Sequence, residues 1–185
     1  MTDFVTDCVY FAGRLKRYHT WPTIQTQTVG EHSWQVALVY EQIFGELSRP
    51  VERYIRMHDV AELAVGDIPF PFKSKNPEIK KLMDAAEDVA LEMMKVPALP
   101  DLDPIPKARI KVCDLLEMTI FGMTERELGN MLAIPIIRRT RAAALQLTQE
   151  KLHDVEDFES VCRFIDQIDY RHRRVLEQEK GKIGD

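Results

Sequence analysis

Residues 58–67 read HDVAELAVGD. Val60, Ala61, Leu63, Ala64 and Val65 give the stretch the apolar content of a short amphipathic helix, yet it also carries His58, Asp59, Glu62 and Asp67. A core helix would exclude those ionisable groups, and a surface helix would not need the apolar residues between them. On a helix His58 and Glu62 stand at i and i+4, and Asp59 and Glu62 at i and i+3, so each pair shares a face. His58 and Asp59, about 100° apart around the axis, can flank one point. Imidazole plus carboxylate is a natural ligand set for a divalent transition metal. Two ligands rarely suffice, so further ones have to come from elsewhere in the chain.

The rest of the chain is helical in pattern. Phe4, Val5, Cys8, Val9, Ala12 and Leu15 form one stripe, capped by Thr2 or Asp3. Residues 19–30, HTWPTIQTQTVG, are polar, β-branched and interrupted by Pro22, which predicts a loop. A second helix is expected over 31–48, ending before Arg49-Pro50, and a third over 51–65, stopped by Gly66, Pro69 and Pro71. Asn76-Pro77 opens a fourth, reaching Lys95. The four prolines of residues 96–106 predict a rigid connector. A fifth helix is expected over 107–121, and a sixth over 124–152 that bends or restarts at Pro135. The last, 155–178, places Phe158, Val161, Cys162, Ile165 and Ile168 on one face, and the tail EKGKIGD frays. No strand-type alternation and no repeat is present. The expected fold is all-α, one bundle-like domain over residues 1–185.

A length of 185 residues suits one such domain with a substantial core. The net charge of −5 argues against a nucleic-acid partner, whose binding calls for a basic surplus, but a few local cations can still hold a small anion. Cys8, Cys113 and Cys162 are odd in number and widely spaced, which reads as free thiols in a reducing compartment. The N-terminus lacks the apolar run of a signal peptide, and no stretch approaches the ~20 apolar residues of a membrane span. The expectation is a cytoplasmic protein with no membrane partner.

Two residues qualify as further ligands. His32 lies in VGEHSWQVALV near the start of the second helix. Asp114 lies in IKVCDLLEM, inside an apolar run where a carboxylate is costly unless paired or bound to a metal. Each has a plainer reading: His32 as a capping or packing residue, and Asp114 in an ion pair with Lys111 one turn earlier. What favours the metal is the joint pattern of His, His-Asp and Asp on successive helices.

That order, His32, His58-Asp59, Asp114, resembles the HD-domain metal-dependent phosphohydrolases. Arg17, TVGEHSWQVA, HDVAELAVGDIPFPFK and KVCD look like the small HD enzymes acting on deoxynucleotides, the bacterial 5′-deoxynucleotidases and phage dATP triphosphohydrolases. The similarity covers residues 14–120, with the helices of 124–180 completing the bundle. HD alone has low specificity; the pattern E-H-S followed by H-D-x-x-E-x-x-x-G-D-x-P-x-P-x-K has high specificity. The resemblance implies that His32, His58, Asp59 and Asp114 hold one divalent ion (Co²⁺, Mn²⁺, Zn²⁺ or Mg²⁺). It implies Glu62 as acid/base at the attacking water, and Asp67 as a second carboxylate that orients water or contacts the sugar. Arg17 and Lys73 would bind phosphate, with Lys111 as an added contact. It further implies a homo-oligomer, dimer or hexamer, for which Ile134, Ile136 and Ile137 are candidate buried contacts.

The loop over 19–30 is expected to cover base and sugar, with Tyr18 or Trp21 stacking on the base and Ile24 beside it; alternatively Trp21 anchors the loop. Phe70 and Phe72 either wall the base pocket or enter the core. In the bacterial deoxynucleotidases Arg is followed directly by Trp, whereas Tyr18 follows Arg17 here, a departure that touches base selectivity and the monophosphatase label. A monophosphate and a triphosphate put the same α-phosphorus at the site, so the catalytic residues do not separate them. Lys75, Lys80 and Lys81 are candidate contacts for further phosphates, or a solvated helix face. Alternatives are an HD phosphohydrolase for another nucleotide and a non-catalytic nucleotide-binding module.

Overall fold

A computed structural model describes residues 4–66, 75–152 and 155–182. Among them the chain runs α1 (Phe4–Phe11) with a 3₁₀ turn at Ala12–Arg14, α2 (Val29–Phe44), α3 (Arg49–Met57), α4 (Glu62–Val65), α5 (Pro77–Met93), α6 (Pro104–Glu127), α7 (Ile134–Lys151) and α8 (Val155–Lys182). The only extended pairing among these residues is an antiparallel bridge between Lys16 and Thr28. The all-α expectation holds.

α6 is the central helix. Its 24 residues bury side chains all round, including Ile110, Val112, Leu115, Leu116 and Phe121. It packs most extensively on α7 and next on α2. The main core joins Val36, Val39 and Ile43 of α2, Val51 and Ile55 of α3, Leu115 and Leu116 of α6, Ala144 of α7, and Val161 and Ile165 of α8. Full burial of each such aliphatic is worth about 1.5–3 kcal/mol. Arg109 ties α6 to α8 through two parallel bonds of 2.8 Å to Asp157. A smaller cluster joins Ala12, Val60 and Ala61 to Ala90, Leu91 and Met94 around α5.

Several boundaries differ from expectation. α2 starts at Val29 because Thr28 and Glu31 form a capping box: the Thr28 hydroxyl accepts from the Glu31 amide at 3.2 Å, and the Glu31 carboxylate accepts from the Thr28 amide at 2.7 Å. The expected third helix is not continuous. α3 ends at Met57, and residues 58–61 form a tighter turn with bonds from Val60 to Met57, Glu62 to Asp59 and Leu63 to Val60. The proline-rich connector is shorter than expected because Pro104 begins α6, in a first turn that does not need its amide hydrogen. α6 then runs through residues 121–124 and stops at Gly129, whose φ of +100° suits glycine. In the α1 stripe Val5 and Val9 face solvent while Ala12 is buried. On α8, Val161 and Ile165 are buried as expected. Ile136 and Ile137 pack over Gly122 within the chain, so their apolar character does not require a second subunit. The three cysteines are free, and no helix among the described residues is long and apolar enough to cross a membrane.

Gly30 positions the start of α2. A Cβ there would lie 2.8 Å from the carbonyl oxygen of Gly13, so α2 presses backbone to backbone against the 3₁₀ turn. That contact and the Lys16–Thr28 bridge bring the segment before residue 17 and the segment after residue 27 together.

Candidate metal centre

The turn at 58–61 explains the mixed character of HDVAELAVGD. Val60 and Ala61 are buried in the cluster around α5, while His58 and Asp59 face His32 on α2. One ligand atom from each of His32, His58 and Asp59 lies within 4.8 Å of the other two. Asp114 Oδ1 lies 3.2 Å from His32 Nε2, and Asp59 Oδ2 lies 3.6 Å from it. Four expected ligand residues from the ends of α2, α3 and the middle of α6 therefore meet. The expected helical spacing of His58 and Glu62 is replaced by the turn, which brings adjacent His58 Nε2 and Asp59 Oδ1 to 3.3 Å.

Both imidazoles are oriented from behind. His58 Nδ1 donates to the carbonyl of Ile55 at 2.6 Å; a carbonyl only accepts, so the proton sits on Nδ1. His32 Nδ1 donates to Glu117 Oε2 at 2.5 Å, and Gln27 Nε2 donates to Glu117 Oε1 at 2.6 Å. The two Nε2 atoms are buried and make no hydrogen bond among the described residues. Leaving two such nitrogens unsatisfied is costly, and with nearby carboxylates they form a donor set suited to a divalent transition metal.

The surrounding carboxylates favour positive charge at this point, a proton on His32 or a divalent ion in its place. Burial and Arg17 lower the His32 pKa, but Asp114 and Glu117 outweigh them and push it up to about 9. Burial raises the Asp59 carboxyl, yet His58, Arg17 and His32 hold it below its usual value. Asp114, also raised by burial, is held well below its usual value by Lys111 and His32. Arg17 Nη1 donates to Asp59 Oδ2 at 2.5 Å, and Lys111 Nζ to Asp114 Oδ2 at 2.5 Å. The plainer reading of Asp114, an ion pair with Lys111, is therefore present together with its contact to His32. Lys111 keeps about half its side chain exposed, at 48%. Glu62 is buried within the field of Arg17.

The segment over 18–27 is a loop, closed at its neck by Arg17 N–H to Gln27 O and Val29 N–H to Leu15 O, both 2.9 Å. Tyr18 takes a left-handed backbone at φ 56°, a conformation costing an L-residue about 1–2 kcal/mol. Its ring stacks on Phe121, with centroids 4.6 Å apart, so one of its faces is already covered. Trp21 is 37% exposed and Ile24 58%. The loop tip rests on Glu125, which is fully buried. Oε2 accepts from the Ile24 amide at 2.7 Å and Oε1 from the Gln25 amide at 2.8 Å. Asn130 Nδ2 donates to Pro22 O at 2.9 Å and to Glu125 Oε2 at 2.7 Å. Asp67, Lys73, Phe70 and Phe72 lie outside the described residues.

Sequence reasoning did not select Glu117, Glu125, Gln27 or Asn130. Glu117 carries the signal that singled out Asp114, a carboxylate in the apolar run DLLEMTIF, whereas Glu125 stands in the charged stretch TERE and carries none.

Residues 10–168 match a family model described as 5′-deoxynucleotidase YfbR-like. A 5′-deoxynucleotidase of Vibrio cholerae serotype O1 is 30% identical over 63% of this chain and 73% of its own length. The 5′-deoxynucleotidase yfbR of Photorhabdus temperata is 33% identical over 50% of this chain and 55% of its own length. In fold, the chain is similar to the cyanophage S-2L HD phosphohydrolase DatZ, solved with dA and one catalytic Zn²⁺. The TM-score is 0.70 at 21% identity, covering 94% of this chain and 98% of that one.

Proposed function

Because the chain belongs to the YfbR-like 5′-deoxynucleotidase family, we propose that it is a metal-dependent phosphohydrolase cleaving the 5′ phosphoester of a deoxynucleotide. The observation that carries this reading is the meeting of two hydrogen-bond-free imidazole Nε2 atoms with Asp59 and Asp114. His32, His58, Asp59 and Asp114 would hold one divalent ion. Such an ion lowers the pKa of water and screens the charge of a phosphate ester.

In this reading Glu62 accepts the proton of the attacking water and returns it toward the leaving 5′ oxygen. The P–O5′ bond breaks, giving a deoxynucleoside and either phosphate from a monophosphate or triphosphate from a dNTP. Arg17 and Lys111 each donate to a carboxylate, and in this reading their positive charge also meets the non-bridging phosphate oxygens. Lys73 adds a phosphate contact, and Asp67 orients water or contacts the sugar. Trp21 offers an exposed ring for the base, whereas Tyr18 is better placed to support the loop through Phe121. Residues 14–120 form the HD core of one domain, and the protein works as a cytoplasmic homo-oligomer; sedimentation of the purified chain gives the count.

The test is incubation with each dNMP, each dNTP and ribonucleotide controls in Mn²⁺, Co²⁺, Zn²⁺ or Mg²⁺, followed by identification of the released phosphate species. The dA moiety bound by the cyanophage protein makes adenine substrates the first to try. Absence of turnover with every deoxynucleotide and metal refutes the proposal.

A further inference from the structure

Asp114, Glu117, Phe121 and Glu125 are spaced three, four and four residues apart on α6, which puts them on one face of that helix. Each touches a different part of the site: Asp114 the His32 Nε2 region, Glu117 the back of His32 and Gln27, Phe121 the Tyr18 ring, and Glu125 the loop tip. At the helical rise this stripe spans about 16 Å. One helix therefore carries both the metal-side acids and the support of the loop.

We propose that Glu125 is a positioning residue for the nucleotide, fixing the loop 18–27 relative to the metal centre and thereby setting how tightly base and sugar are bound. The proposal rests on reading the site as a deoxynucleotide phosphohydrolase. A fully buried carboxylate is a costly way to fill space. Here both of its oxygens serve successive loop amides, Ile24 and Gln25, which the loop itself leaves without a partner, and Asn130 braces the same oxygen and Pro22. The pairing calls for two acceptor oxygens. A glutamine in the same place offers one oxygen and one NH₂, and the NH₂ must face an amide hydrogen. The loop would then lose one of its two tip contacts at nearly unchanged side-chain volume.

The experiment compares Glu125→Gln and Asn130→Ala with the wild type on the deoxynucleotide found to turn over, measuring kcat, KM and bound metal. The expected result for Glu125→Gln is a KM raised about tenfold or more, kcat within about threefold, and unchanged metal content. Asn130→Ala shifts KM in the same direction by less. Wild-type KM in Glu125→Gln overturns the proposal while leaving the enzyme assignment intact. Loss of metal, or a fall in kcat as large as the rise in KM, overturns it by showing a merely structural role. If Glu125→Gln does not fold, Asn130→Ala decides, an unchanged KM counting against the proposal. A wild type inactive on every deoxynucleotide removes the enzyme assignment, and this inference with it.

Discussion

The two halves of the α6 stripe use buried acids differently. Asp114 and Glu117 engage side chains: an imidazole, an ammonium and an amide. Glu125, two turns on, engages main-chain amides of a loop. An acid that holds side chains tunes how basic and how well aimed a ligand is. An acid that holds backbone decides where a whole segment lies. Substitutions in the first half should therefore alter metal binding, and those in the second should alter substrate binding.

The largest effect is expected for Asp114→Ala: bound metal, measured by atomic emission, falls and turnover drops about 10³-fold or more. Undiminished stoichiometry would strike Asp114 from the ligand set. Glu62→Ala should keep the metal yet lose about 10²–10⁴ in kcat; parallel loss of metal would move Glu62 into the ligand group instead. Glu117→Ala removes the support behind His32, and the metal dissociation constant should rise about 10–100-fold. If it changed KM for nucleotide and spared metal affinity, the contrast between the two halves of α6 would collapse. The smallest effect belongs to Thr28→Ala, which breaks the capping box of α2 and should cost about 1 kcal/mol in urea unfolding, with kcat/KM within about threefold. A large activity change there would mean that the cap also holds His32, whose amide donates to the Thr28 carbonyl at 3.0 Å.

The candidate metal ligands were legible because imidazole and carboxylate stand out in apolar helical sequence. His32, His58, Asp59 and Asp114 were all reachable by that argument, and the structure brings them together. The turn at 58–61 was not legible. Met57 to Ala61 contain no Gly or Pro, and the helix ends there through tertiary demands: Val60 and Ala61 enter the cluster around α5, and the His58 imidazole returns to Ile55 O. α6 was expected to end at Phe121 but continues to Glu127; Gly122 lies inside it, and Ile136 and Ile137 pack over that position. Glu117, 85 positions from His32, is marked only by its apolar neighbours, and Glu125 stands among charges with its partners, the Ile24–Gln25 amides, about 100 positions away. Loop contacts of that range leave no local pattern in sequence.

The Lys16–Thr28 bridge and the Gly13–Gly30 contact tether both ends of the loop by main chain. Such a neck is indifferent to most of what lies between its ends. Residues 19–26 can therefore drift or be transplanted between homologues as a cassette, provided the amides at 24 and 25 still land on Glu125. If that loop covers the base as proposed, base recognition is free to diversify while the residues around His32 and Asp59 stay constant.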